Sequence, residues 1–296
     1  MIYPQFFVLV GIAVLSWGIQ IPLLVKYSRK YDGLIVTVYR NLSLGITMLP
    51  VLFFATGQEI LSITSVLPTL LLASGFGALA FISNLNMSNY LPVGTGSAIR
   101  QSVNVIVAVI LGALFLNEFL TSLQLILLAG ILAGAITLTF LRSQHEHLDE
   151  STVWKGIMLA CVAGVGYALS FLFFSILSRE ISPLVAGYFW ELSVGVFALA
   201  YLLYKKATHT YSGQTRLPMK DLVPIVLIST TTIAGTLAYG YAVHFGPYAL
   251  ASGLITTTVL IATIAGWILF KEKLSFKQLL AIAFVIALIF ILRLTS

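Results

Sequence analysis

The chain has 296 residues, of which 59% are hydrophobic and only 9% charged, and it carries a formal net charge of +6. Soluble domains hold about 25% charged residues, so this composition, with a mean hydropathy of +1.02, excludes a soluble enzyme and indicates a membrane protein. At about 20 apolar residues per spanning helix, the length holds about ten spans and leaves almost no mass for an extramembrane catalytic domain.

Apolar runs interrupted by Gly, Pro and charges predict spans at 4–26, 33–55, 65–88, 94–116, 122–141, 154–178, 183–204, 221–243, 248–270 and 276–293. The first is too long and too poorly flanked for a cleaved signal peptide. It carries Trp17, Gly18 and Gln20, followed by Pro22, which is expected to kink the helix and free backbone carbonyls. The second carries Arg40, the third Asn84 and Asn86, and the fourth Arg100, Gln101 and Asn104, with Arg100 and Asn104 on one helical face. In the fifth, Gly130 and Gly134 form a small-xxx-small pair that suits internal helix packing better than dimerisation.

The longest polar connection, 142–153 (RSQHEHLDESTV), falls at the midpoint. Its His145, Glu146 and His147 lack a further ligand cluster, so a solvated loop is expected and no metal or cofactor. The single cysteine, Cys161 in the sixth span, excludes an intramolecular disulfide framework and a cysteine zinc site. Beyond it, the sixth span holds Tyr167, the seventh Glu191, the eighth Tyr239 and Tyr241, and the ninth the run Thr256-Thr257-Thr258. His244, at the end of the eighth, is expected to make a helix-end hydrogen bond rather than serve as a proton relay.

The halves on either side of the midpoint match in order. An offset of 150 carries Tyr39, Leu42, Ser43 and Gly45 onto Phe189, Leu192, Ser193 and Gly195, and Trp17 onto Tyr167. An offset of 155 carries PVGTGSA from Pro92 onto PYALASG from Pro247, and one of 154 carries Glu118 onto Glu272. These matches define units at 1–141 and 154–296 joined by 142–153. With five spans per unit, the second enters the membrane from the opposite side. Inverted repeats of this kind characterise secondary transporters, whose substrate site lies near the bilayer midplane.

Trp17-Gly18, Arg40 and the segments 114–134 (LFLNEFLTSLQLILLAGILAG) and 269–284 (LFKEKLSFKQLLAIAF) resemble the drug/metabolite transporter superfamily, EamA-like ten-helix type. The resemblance implies an all-α membrane protein of two inverted five-helix repeats, each with a short Glu-containing turn before its last helix, here Glu118 and Glu272. The stretch 90–106 (YLPVGTGSAIRQSVNVI) is also similar to the substrate-binding helix of small multidrug resistance proteins. Those proteins carry an essential glutamate in their first helix, and Ile12 to Val25 holds no acid, which disfavours proton-coupled export of drug cations on that pattern.

Only Arg40, Arg100 and Glu191 among the charged residues fall well inside predicted spans, and intramembrane ions nominate a functional site. Arg40 has the alternative of snorkelling to the interface. Arg100 lies among small and polar neighbours that suit a cavity wall, and a fixed guanidinium there favours a carboxylate or phosphate. Glu191 has three readings: binding a substrate ammonium, carrying a coupling proton, or pairing with an arginine. The expected substrate set is Arg100, Arg40, Glu191, Trp17, Gln20, Gln101, Asn104, Tyr167, Asn86, Tyr239 and Thr257.

These features predict a secondary transporter of the cell (inner) membrane that moves a small organic metabolite, an amino acid or related carboxylate, by alternating access. The alternatives are a proton-coupled exporter of lipophilic or cationic drugs and an exchanger of phosphorylated metabolites or nucleotide sugars. An enzyme is not expected, since no span carries a metal-ligand cluster or a Ser-His pair at comparable depth. Expected partners are the substrate, the lipid bilayer and protons as a coupling ion, but no nucleic acid, with the chain a monomer or weak homodimer.

Basic residues report orientation. Odd-numbered loops hold twelve Lys and Arg (Lys26, Arg29, Lys30, Arg142, Lys155, Lys205, Lys206, Arg216, Lys220, Lys271, Lys273 and Lys277), and even-numbered loops and tails hold Arg179 and Arg293. The positive-inside rule then places the odd loops in the cytoplasm and both termini outside, whereas the resemblance implies cytoplasmic termini. The charge bias is the guide adopted: a reporter fused to either terminus should lie outside the cytoplasm, and cytoplasmic reporter activity overturns that orientation.

Overall fold

Hydrocarbon offers no water to backbone N–H and C=O groups, so an apolar segment crossing it must satisfy them internally as a helix. A computed structural model describes residues 4–91, 93–142, 150–261, 264 and 275–294, and among these there are helices and no strands. The first repeat contributes α1 (Pro4–Ser28), α2 (Gly33–Thr47), α3 (Leu67–Met87), α4 (Val93–Leu116) and α5 (Ser122–Arg142). The second contributes α6 (Glu150–Glu180), α7 (Pro183–Ala207), α8 (Met219–Phe245), α9 (Tyr248–Ile255) and α10 (Phe276–Leu294). Among the described residues eight helical segments are long and apolar enough to span a bilayer, and Ser122–Thr137 and Tyr248–Ile261 are shorter apolar helices. Glu272 and the His145-Glu146-His147 run lie outside the described residues.

Departures from the predicted spans have local causes. α2 ends at Thr47 and tightens into a 3-10 segment, Leu49–Phe54, at whose start Pro50 supplies no N–H. α6 begins at Glu150, so the last turn of the predicted linker is helical. Pro22 sits inside a helix that continues to Ser28. Asn86, expected at the substrate path, is placed instead at a helix end: its Oδ1 accepts from the Gly33 N–H at 2.8 Å, while Asp32 Oδ1 accepts from Leu34 N–H at 2.8 Å. Together they satisfy the first amides of α2, which have no intrahelical partner.

Interhelical packing obeys an exchange of halves. α2 packs on its counterpart α7, α4 on α9 and α5 on α10, while α1 packs on α8 as α6 packs on α3, and α4 on α6 as α9 on α1. At the α2–α7 crossing the symmetry reaches single residues. A Cβ on Gly45 would lie 2.5 Å from Leu192 Cδ1, and a Cβ on Gly195 would lie 2.9 Å from the backbone N of Leu42, the repeat partner of Leu192. Gly130 and Gly134 face Leu288 and Val285 of α10, so the small-residue pair is used inside the chain.

Ion pairs tie the helix ends. On the odd-loop side Lys30 Nζ lies 2.5 Å from Asp221 Oδ2, which also accepts from the Tyr31 hydroxyl at 2.5 Å. That carboxylate holds both the Lys30 ammonium and the Tyr31 phenol above their ordinary pKa values. On the even-loop side Arg179 donates to the carbonyls of Val243 (2.9 Å) and Gly246 (3.1 Å) at the end of α8, and to Glu118 Oε1 at 2.5 Å. Glu118 Oε2 in turn accepts from the Ala249 N–H at 3.2 Å in the first turn of α9. One pair thus serves a helix C-terminus and a helix N-terminus, and it seats α9 against the turn after α4. His244 Nδ1 lies 2.8 Å from the Ser178 carbonyl, a helix-end contact.

The α2–α7 crossing generates a contrast. Gly195→Ala should destabilise by about 1–3 kcal/mol, because the added methyl meets backbone that cannot rotate away. Gly11→Ala, with nothing within 4 Å, should be neutral or stabilising by up to about 1 kcal/mol through helix propensity. Thermal unfolding in detergent reads both, and equal melting temperatures for the two variants contradict the close crossing.

Candidate functional site

A charged side chain in the membrane interior must find partners within the protein. Arg40 on α2 and Glu191 on α7 find each other. Arg40 Nη1 donates to Glu191 Oε2 at 2.8 Å, and the two side chains are 5% and 3% exposed. Arg40 Nη2 donates to Thr232 Oγ1 at 2.9 Å and Gln20 Oε1 at 3.4 Å. Asn41 Nδ2 donates to the same Oε2 at 2.8 Å, and Thr236 Oγ1 donates to Oε1 at 2.7 Å. Both carboxylate oxygens are therefore engaged, and the arginine is held between α1, α7 and α8 with its Cζ 4.4 Å from the Phe81 ring centroid.

Arg100 is different. It is 5% exposed, its Nε has no hydrogen-bond partner, and its charge faces the Tyr167 ring at 5.2 Å, a cation–π contact. Among the described residues no carboxylate pairs with it. Arg40, Glu191 and Arg100 border one cavity, whose volume for the centre of a water-sized sphere is about 50 Å³. Unpaired polar atoms surround it: Gln20 Nε2, Arg40 Nε, Asn41 Oδ1, Arg100 Nε and Gln101 Oε1. Buried polar atoms are ordinarily satisfied, and a concentration of exceptions at one cavity marks a place for a polar guest or ordered water.

The walls are aromatic. Trp17 stacks on Phe171 at 5.6 Å and 8°, Tyr167 stacks on Phe171 at 5.6 Å, and Trp190 completes the surface with its Nε1 donating to Ser170 Oγ at 3.2 Å. Gly235 makes room for the indole of Trp17, since a Cβ there would lie 2.8 Å from Trp17 Nε1.

The fourth wall comes from α9, where the helix tightens. Thr256 and Thr257 N–H groups bond to the carbonyls of Gly253 and Leu254, three residues back, and their hydroxyls return to the same carbonyls at 2.7 Å. Threonine hydroxyls that bond back in this way favour a local departure from regular helix. Gln101 Nε2 then reaches the Ile255 carbonyl at 3.5 Å and Thr258 Oγ1 at 3.1 Å.

Seven of the eleven expected residues border the cavity: Arg100, Arg40, Glu191, Trp17, Gln20, Gln101 and Tyr167. The other four lie elsewhere. Asn86 caps α2. Asn104 is buried one turn beyond Arg100, outside the lining. Tyr239 stands behind the wall, 5.4 Å from Trp17 and 4.8 Å from Phe171, with its hydroxyl 3.1 Å from Ser252 Oγ. Thr257 turns to an apolar groove between α1, α9 and α10, and Thr258 faces the cavity in its place.

Sequence reasoning missed Asn41, Trp190 and Ile255, which the repeat offset finds from expected residues, and Ile21, Gly77, Phe81, Phe171 and Val194, which it does not. Asn41 is the partner of Glu191, Trp190 of Arg40 and Phe171 of Ile21 at offset 150, and Ile255 is the partner of Arg100 at 155. Each of these pairs borders the cavity on both sides.

The fold and site define an all-α membrane protein whose two five-helix repeats both line one cavity with charged and aromatic walls. The model of the EamA-like transporter family matches residues 6–140 and again 154–294. The chain belongs to that family, within the drug/metabolite transporter superfamily, and is a multi-pass membrane transporter of small molecules. A search of curated proteins found no match. A solved protein crystal structure is similar with a TM-score of 0.74, covering 96% of this chain and 94% of that chain at 14% identity, a likeness of fold alone.

The buried pair generates a double substitution. Glu191→Ala leaves Arg40 without its counter-charge and should cost about 3–5 kcal/mol, whereas Arg40→Met with Glu191→Leu, removing both charges, should recover most of that stability. Thermal unfolding of single and double variants reads the difference. A double variant less stable than the single contradicts the pairing.

Proposed function

We propose that the protein is a secondary active transporter of a small organic carboxylate, an amino acid or related acid, and that the cavity between the repeats is its binding site. Arg100 carries the reading: it is a buried cation at a largely apolar cavity, and among the described residues it meets an aromatic face but no anion. A guanidinium so placed takes a carboxylate through paired N–H donors. Trp17, Tyr167 and Phe171 then receive the apolar body of the substrate.

Glu191 is better read as the partner of Arg40 than as a site for ammonium or a coupling proton, because Arg40, Asn41 and Thr236 occupy both of its oxygens. A substrate ammonium has other acceptors in Asn41 Oδ1 and Gln101 Oε1, which are unpaired. Drug cations are disfavoured by the same arrangement, since the free charge of the site is positive. Multiply charged phosphates call for more than one free cation. In this reading the units 1–141 and 154–296 rock about the cavity in the cell membrane, with the odd-numbered loops toward the cytoplasm as the basic residues suggest.

Thermal-shift measurements on purified protein against L-leucine, L-glutamate, simple monocarboxylates, sugar phosphates and drug cations test the class. Carboxylates should stabilise the protein, and Arg100→Ala should weaken their binding by at least about 30-fold, the lower end of the effect of truncating a buried charge partner. A folded Arg100→Ala protein that keeps wild-type uptake in proteoliposomes removes Arg100 from the site.

A further inference from the structure

The three intramembrane charges do not sum to zero. Arg40 and Glu191 neutralise each other at 2.8 Å, and the remaining oxygen of Glu191 accepts from Thr236. Arg100 stays uncompensated beside Tyr167, 5% exposed and with Nε unpaired. The cavity therefore carries one positive charge that the described residues do not balance.

Alternating access requires the cavity to face water on one side, close to both sides, and then face water on the other. While it is open, water solvates the Arg100 guanidinium. Closed to both sides, a cavity of the size seen here, about 50 Å³ for water-sized centres, would leave room for only a few waters. An unpaired guanidinium at that depth is unfavourable, and a carboxylate in contact with it removes most of the penalty. The closed state is thus easier to reach with a carboxylate aboard than without one. Glu191 offers no relief, because moving it to Arg100 strands Arg40.

We propose that the protein is an exchanger: its loaded form reorients rapidly, its unloaded form slowly, and a carboxylate moving one way is coupled to a carboxylate moving the other. The driving force is then the gradient of the counter-substrate. This inference rests on the reading of Arg100 as the carboxylate anchor, and its experiment separates the two.

Wild-type protein reconstituted in proteoliposomes is preloaded with radiolabelled L-leucine or L-glutamate. Efflux is followed into buffer alone or into buffer containing the same unlabelled amino acid. Exchange predicts efflux at least tenfold faster with amino acid outside. Efflux into buffer at the exchange rate overturns the exchange inference and leaves Arg100 as anchor. If neither amino acid is transported and no carboxylate of the thermal-shift series shifts the unfolding temperature, the carboxylate reading itself fails and exchange with it.

Discussion

The Arg40–Glu191 pair is the contact on which the rest of this structure depends. It joins the second helix of one repeat to the second helix of the other at 2.8 Å, in a medium where neither charge can be left to solvent. The pair forms because Gly45 and Gly195 let α2 and α7 approach closely, each glycine receiving a leucine of the other helix. Once it forms, α1 and α8 are drawn in through Gln20, Thr232 and Thr236, which supply the remaining hydrogen bonds. The consequence for function is indirect. By using up the one intramembrane carboxylate among the three buried ions, the pair leaves Arg100 without a counter-charge among the described residues.

Repetition and its breaking both shape the cavity. The pairs 17/167, 21/171, 40/190, 41/191 and 100/255 place corresponding backbone positions of the two repeats around one space. Trp17 with Tyr167 and Ile21 with Phe171 keep an apolar character on both sides. Arg40 with Trp190 and Arg100 with Ile255 do not, and these unequal pairs break the symmetry of the cavity lining. Trp190 nevertheless keeps part of the role of its partner: its indole N–H bonds to Ser170, the repeat partner of Gln20, as Arg40 bonds to Gln20. An inverted pair of repeats with a site at their interface is the general arrangement of alternating-access transporters.

Much of the site was legible in sequence because burial of charge is a strong local signal. Arg40, Arg100 and Glu191 stood out by depth alone, and all three border the cavity. Trp190 and Ile255 were accessible to the same reasoning through the repeat offset, although neither stands out by chemistry. Thr257 was not accessible. A tightened turn advances each residue by about 120° instead of 100°, so the break at Thr256–Thr257 shifts the faces that follow it and brings Thr258 to the cavity. Asn86 and Tyr239 show a different limit, since polar groups that cap a helix or support a wall look the same in sequence as those that meet a substrate.

The sequence by itself determined that the chain lives in a membrane, that it holds about ten apolar segments, that they fall into two repeats, and that three ions lie within apolar segments. These follow from hydropathy and spacing, which are local and additive along the chain. Only the tertiary structure decided which ions cancel. Arg40 and Glu191 are 151 residues apart, and Arg100 is left over because of where α4 passes relative to α2 and α7. Charge pairing falls off over a few ångströms, so it is set by the crossing of helices rather than by the residues each helix carries.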